Sequence, residues 1–193
     1  MSTGADPWLE RWLPLIGERV GASPILELGC GPGLDTRVLA AAGHRVTALD
    51  CAPLMIADAK ARVPFAEFHC QDMREPFPVT GPLNVVLASL SLHYFPWHET
   101  QALVRRIRDV LAPGGVLLCR LNSTADHHYG ASGHPEIEKH YYAVDGEPKR
   151  FFDPASIEQL FAGGWHMLHI EERVIHRYAH PKVVWEVILE RNA

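Results

Sequence analysis

The chain has 193 residues, 47% of them hydrophobic, and a net charge of −5 with histidines counted neutral. That length is one domain's worth. It carries no Lys/Arg run of the kind a nucleic-acid surface needs, and no apolar run near the roughly 20 residues of a membrane span. The opening MSTGADPWLERW lacks the basic and apolar regions of a secretory signal. Cys30, Cys51, Cys70 and Cys119 are widely spaced and form no C-x-x-C pair, so they are expected to be reduced core or near-core thiols. The expectation is a single cytoplasmic domain over 1–193, a monomer or homodimer, whose partner is a small molecule rather than nucleic acid or membrane.

In chain order, 7–20 predicts a helix with Trp8, Leu9, Trp12, Leu13 and Ile16 on one face, interrupted or kinked at Pro14. PILEL (24–28) reads as a buried strand, and LDTRVLAAAG (34–43) as a helix stopped by Gly43. RVTALD (45–50) is a second strand, PLMIADAKARV (53–63) a helix with Pro53 in its first turn, and FAEFHC (65–70) a third strand. LNVVLASLSL (83–92) begins as a fourth strand. ETQALVRRIRDVLA (99–112) is an amphipathic helix with Leu103, Ile107, Val110 and Leu111 inward, and VLLCRL (116–121) is a fifth strand. This alternation predicts an α/β fold, a doubly wound, mostly parallel sheet. Residues 122–150 break the pattern and read as an irregular lid or insertion. Asp153 then caps a helix starting at Pro154, and 165–175 with 183–191 predicts an antiparallel hairpin at the sheet edge.

The segment ELGCGPGLD (27–35) joins the first strand to the first sheet helix, with Gly29, Gly31 and Gly33 at alternate positions. Glycines there let a backbone approach a ligand closely. The dinucleotide fingerprint G-x-G-x-x-G needs a third glycine where Leu34 stands. The order ELGCGPG, Asp50 at the end of strand two, CQDM after strand three, LNVVLASLSLHYF and LAPGGVLL resembles the class I S-adenosylmethionine-dependent methyltransferases. The likeness is to the small bacterial methyltransferase-domain type, similar to the tellurite-resistance methyltransferases. It runs from Glu27 to about Leu121.

The resemblance implies a Rossmann-like seven-stranded sheet whose last two strands are antiparallel. It also implies methyl transfer from S-adenosylmethionine to a small acceptor through an O, N, S or metalloid atom. The cofactor residues it implies are Glu27, Gly29, Cys30, Gly31, Gly33, Asp50, Cys51, Asp72, Met73 and Ser89. Asp50 would accept from the ribose hydroxyls and Asp72 from the adenine amino group. Both aspartates also suit turns that bond their own backbone. A nicotinamide-dependent oxidoreductase and a non-catalytic cofactor-binding regulatory module are the alternatives.

Acceptor candidates lie where such sheets bind ligands, beyond the carboxyl ends of strands four and five. They are His93 as a general base, and Tyr94, Asn122, Tyr129, Tyr141, Tyr142 and Arg150 as binding residues. Trp12 joins them if the N-terminal helix folds over the site. No metal site is expected, because the histidines at 127, 128, 134 and 140 match no standard ligand spacing.

Overall fold

The computed structural model describes residues 6–193. Its main sheet is built from β1 (Ile25–Leu28), β2 (Val46–Asp50), β3 (Glu67–Cys70), β4 (Leu83–Ser89), β5 (Leu111–Asn122), β9 (Trp165–Ile175) and β10 (Lys182–Arg191). The order across it is β3-β2-β1-β4-β5-β10-β9. The five strands from β3 to β5 are parallel, while β10 runs antiparallel to both β5 and β9. This is the expected doubly wound sheet, with one refinement. The last strand inserts beside β5, and β9 takes the edge.

All four residues of β1, and four of the five in β2, are buried, as parallel strands covered on both faces require. One face packs against α1 (Leu13–Arg19), α2 (Leu34–Ala41) and α3 (Pro53–Arg62), through Ile16, Leu39, Ile56 and Ala59. The other packs against α4 (Trp97–Val110) and α5 (Pro154–Leu160), through Leu103, Val104, Ile107, Ile157 and Leu160. Each Leu, Ile or Val side chain so buried contributes roughly 1.5–3 kcal/mol. α5 starts as the sequence predicts. Asp153 Oδ1 accepts from the Ser156 amide at 2.7 Å, and Ser156 Oγ accepts from the Asp153 amide at 2.9 Å.

One expectation is made more definite and two are corrected. The N-terminal helix is two pieces, a 3-10 turn Leu9–Trp12 and then α1, with Pro14 in the first turn of α1. Proline there forfeits no helical hydrogen bond, so it opens a helix rather than kinking one. Cys51 and Cys70 are exposed at strand ends, while Cys30 and Cys119 are buried. Residues 122–150 are irregular only in their first half, through 135, apart from a 3-10 turn at His127–Tyr129. The second half folds into a small antiparallel sheet, β6 (Glu136–Glu138), β7 (Tyr141–Val144) and β8 (Glu147–Arg150), in the order β6-β7-β8. No helix among the described residues is long and apolar enough to cross a membrane.

Candidate functional site

The loop between β1 and α2 is pinned from below. The Gly29 and Cys30 amides both donate to the Leu49 carbonyl, at 2.8 and 3.0 Å, and the Gly31 amide donates to Asp50 Oδ2 at 2.9 Å. Gly29 has φ +72°, and a Cβ on it would lie 2.4 Å from Ser91 Cβ, so no other residue fits. Gly31 has φ +52°, but a Cβ on it would meet nothing within 4 Å. The first glycine is therefore required by packing, and the second by backbone conformation and by whatever lies above it. Leu90, just past β4, is also forced to positive φ, +55°, at a cost of about 1–2 kcal/mol for a side-chain-bearing residue. Strain of this kind concentrates at ligand sites.

These segments line one cavity of about 830 Å³ at the carboxyl ends of the central strands. Glu27, Gly29, Cys30, Gly31, Asp50, Cys51, Asp72, Met73 and Ser89, nine of the ten expected cofactor residues, are in its wall. Gly33 is not. It faces α3, where a Cβ would come 3.0 Å from Ala59 Cβ, so it serves helix packing. The turn roles of both aspartates are also present. Asp50 Oδ1 accepts from the Ala52 amide at 2.9 Å, and Asp72 Oδ1 from the Arg74 amide at 2.8 Å. A carboxylate oxygen offers more than one lone pair, so these bonds leave acceptor capacity toward the cavity.

The glycine-loop wall is acidic, with Glu27, Asp35 and Asp50 around it. Glu27 is buried and accepts from Thr36 Oγ1 at 2.5 Å. Burial first, then Asp35 and Asp50, lift its carboxyl to about 8 against the lowering effect of the Thr36 bond. Asp72 goes the other way, because the Arg74 guanidinium holds it below the usual carboxylate range. Ser91 Oγ is buried without a hydrogen-bond partner, and Ser91 also lines the cavity.

The acceptor candidates divide. Tyr94 and Tyr141 line the cavity, joined by a 2.9 Å bond from the Tyr141 hydroxyl to the Tyr94 carbonyl. His93 is turned away. It is buried against the Tyr94 ring at 4.1 Å, its Nδ1 has no partner, and burial drives its pKa down to about 3, so it is no base for this cavity. Asn122 is buried and donates to the Arg150 carbonyl at 3.4 Å. Arg150 donates to the Phe95 and Lys139 carbonyls at 3.2 and 3.3 Å, lies 3.1 Å from Glu138, and stacks on the Tyr141 ring. It braces Tyr141 rather than facing a ligand. Tyr129 is bonded to the His180 backbone, Tyr142 packs on Phe151, and the Trp12 indole donates to Glu186 at 2.7 Å. None of these last five lines the cavity.

Sequence reasoning missed Arg177 and Tyr178 on the β9–β10 loop, Arg74, Glu99, and Glu147 with Pro148 on β8. Arg177 Nη2 donates to the Tyr178 hydroxyl at 2.8 Å, which sets a guanidinium in the cavity wall within the field of Asp6 and Asp35. Among the described residues, no group of three His, Cys, Asp or Glu side chains is placed to hold a metal ion.

A family model described as "Methyltransferase domain" matches residues 25–115. A trans-aconitate 2-methyltransferase of Paracidovorax citrulli is 39% identical over 103 residues, which are 52% of this chain and 39% of the relative. One from Methylobacterium radiotolerans is 34% identical over 146 residues, 71% of this chain and 55% of the relative. The chain thus spans about half or less of these relatives' length. An S-adenosylmethionine-dependent methyltransferase of Mesorhizobium loti superposes with TM-score 0.76 at 22% identity, covering 97% of this chain and 99% of that one. One of Methanosarcina mazei superposes with TM-score 0.77 at 16% identity, covering 93% and 97%. With its motif order, its sheet order and these matches, the chain carries a methyltransferase domain over residues 25–115 on the fold of the class I S-adenosylmethionine-dependent methyltransferases.

Proposed function

We propose that the protein transfers the methyl group of S-adenosylmethionine to a carboxylate oxygen of a small organic acid, leaving S-adenosylhomocysteine and a methyl ester. One observation carries this reading. A single cavity has carboxylates around its glycine loop and also a guanidinium, Arg177, in its wall. The carboxylate side suits the sulfonium and ammonium charges of S-adenosylmethionine. It opposes the diphosphate of a nicotinamide cofactor, which would lie on this same loop and helix terminus. Arg177 suits an anionic acceptor. The activity for which the relatives are named, trans-aconitate methylation, supports the acid class.

The chemistry is an in-line displacement. An acceptor lone pair forms the new bond to the methyl carbon as the carbon–sulfur bond breaks, and that electron pair stays on sulfur as a neutral thioether. The protein's task is alignment and exclusion of water. Glu27, the glycine loop and Ser91 would hold the methionine part, Asp50 the ribose, and Asp72 with Met73 the adenine. The β6–β8 sheet supplies an acceptor-side wall through Tyr141, Glu147 and Pro148. A carboxylate arrives already ionised at neutral pH, so no general base is needed, in keeping with the place of His93.

The test is methyl transfer from labelled S-adenosylmethionine to trans-aconitate, citrate, a phenol and an amine, read by mass spectrometry. A methyl ester of an acid is expected, and a labelled phenol or amine with untouched acids would overturn the acceptor class. Asp50→Ala removes a charged acceptor, so adenosylhomocysteine should bind about 1.5–3 kcal/mol more weakly. Calorimetry giving equal affinities would remove Asp50 from the cofactor site.

A further inference from the structure

A second recess, of about 210 Å³, lies beside the main cavity. Its walls carry four guanidiniums, Arg11, Arg120, Arg173 and Arg177, against two carboxylates, Asp6 and Glu186. In a chain of net charge −5 this is a local reversal of sign.

The two carboxylates differ in kind. Glu186 is a fixed part of β10, buried, and held by Arg11 at 2.5 Å and the Trp12 indole at 2.7 Å. Asp6 comes from the segment ahead of the first helical turn. Its carboxylate accepts from Arg120 Nη1 and lies 4.0 Å from Arg177 Nη1. Both of those arginines belong to the wall between the two cavities. Arg177 lines each of them. Arg120 is buried, stacks on the Trp8 ring at 4.4 Å, and donates Nε to Ser89 Oγ at 2.9 Å, with Ser89 in the main cavity. Arg173 is ion-paired to Glu171 at 2.6 Å and, through a buried Nε that makes no hydrogen bond, to Glu186 at 3.7 Å.

We infer that this recess is an anion subsite for a second carboxylate of the acceptor, and that Asp6 is its resident stand-in. A di- or tricarboxylate would displace Asp6 and set one carboxylate between Arg120 and Arg177, while another reaches the methyl group in the main cavity. The inference rests on the organic-acid reading above and adds to it a preference for polyacids. The physical basis is exchange of like for like. A buried guanidinium cannot be left unpaired without heavy cost. Asp6 keeps Arg120 paired in the free protein, and an incoming carboxylate restores the pairing it disrupts. Because Asp6 is tethered, it competes at the high effective concentration of an intramolecular ligand. A monocarboxylate cannot occupy both places at once, so it gains nothing from displacing Asp6.

The experiment uses the full chain and tricarballylate, a saturated tricarboxylate, with propionate as the monoacid, in titration calorimetry without cofactor. Asp6→Asn should tighten tricarballylate binding about tenfold, as expected when a tethered competitor is removed. Arg177→Gln should weaken it about tenfold, by the loss of one charge-assisted pair. Propionate, which can fill only one of the two places, should respond less than tricarballylate to each change. A folded Asp6→Asn protein that binds tricarballylate no tighter than the wild type would reduce the Asp6–Arg120 contact to a structural ion pair and overturn the inference. Should Asp6→Asn fail to fold, Arg177→Gln decides alone, and unchanged tricarballylate affinity in it overturns the inference. Failure of the organic-acid reading looks different. In that case tricarballylate binding would stay sensitive to Asp6→Asn while no acid is methylated by a protein that still binds adenosylhomocysteine.

Discussion

Gly31→Val is expected to lower adenosylhomocysteine affinity by about a hundredfold or more, a loss of roughly 2.7 kcal/mol, while the protein stays folded. The two halves of that expectation have separate causes. A Cβ at Gly31 meets no protein atom within 4 Å, so no internal packing is violated. The backbone cost of a side-chain-bearing residue at φ +52° is about 1–2 kcal/mol, within the reserve of an ordinary domain. The new isopropyl group would project into open space at a loop that lines the main cavity, where the ligand is expected to lie against bare backbone. Gly29→Ala makes the contrast. Its Cβ would be 2.4 Å from Ser91 Cβ, and an overlap of that size forces the backbone to move. Gly29→Ala should therefore lower the melting temperature as well as the affinity. Calorimetric titration and thermal unfolding of both variants check this. A Gly31→Val protein with wild-type affinity would take the loop out of the cofactor site.

The part of the site that was legible in the sequence is the part built by local geometry. A buried run, a glycine loop and an acid at the next strand end follow one another within Glu27 to Asp50, and parallel pairing of β1 with β2 brings them together. The acceptor side is made by long-range packing, and there the residue types misled. His93, Asn122 and Arg150 look like ligand groups by composition, yet all three are buried. The chain turns at positive φ at Leu90, and which of Ser91, His93 and Tyr94 faces the cavity depends on that turn. The β6–β8 sheet hid for another reason. Its strands are three or four residues long with mixed polar composition, too short for alternation to register. One signal was present. Asp145-Gly146, with φ +51° and +86°, is the residue pair that a two-residue hairpin turn prefers, and it marks the β7–β8 hairpin. Arg177 and Tyr178 sat in a loop that read only as the connection of a hairpin, so nothing local pointed them at the glycine loop.

Glu27→Gln is expected to stabilise the free protein at mildly alkaline pH and to weaken its grip on the cofactor. Burial and the neighbouring Asp35 and Asp50 raise the Glu27 carboxyl from an ordinary 4.5 to about 8. A raised acid favours the folded state while it is protonated. Its contribution is complete below pH 4.5 and is lost as pH rises toward 8, because the unfolded chain gives up the proton first. His93 acts in the opposite sense over a lower range. Its pKa is depressed from 6.5 to about 3, so it favours folding increasingly as pH rises to 6.5 and adds no further slope above that. The interval from 6.5 to 8 therefore isolates Glu27 from His93. The amide introduced by Glu27→Gln would keep an acceptor for Thr36 and carry no charge to desolvate. The variant should therefore gain roughly 1–3 kcal/mol at the upper end of that interval and lose the decline across it. Cofactor binding brings cationic charge to the same wall, which favours ionised Glu27. The wild type should then release a proton on binding near neutral pH, and Glu27→Gln should bind more weakly with no such release. Denaturant melts across the interval, and calorimetric titrations in buffers of different ionisation enthalpy, measure the two effects. Parallel stability curves for wild type and variant between pH 6.5 and 8 would show that Glu27 is already ionised in the free protein, and the proton release would have to come from another group.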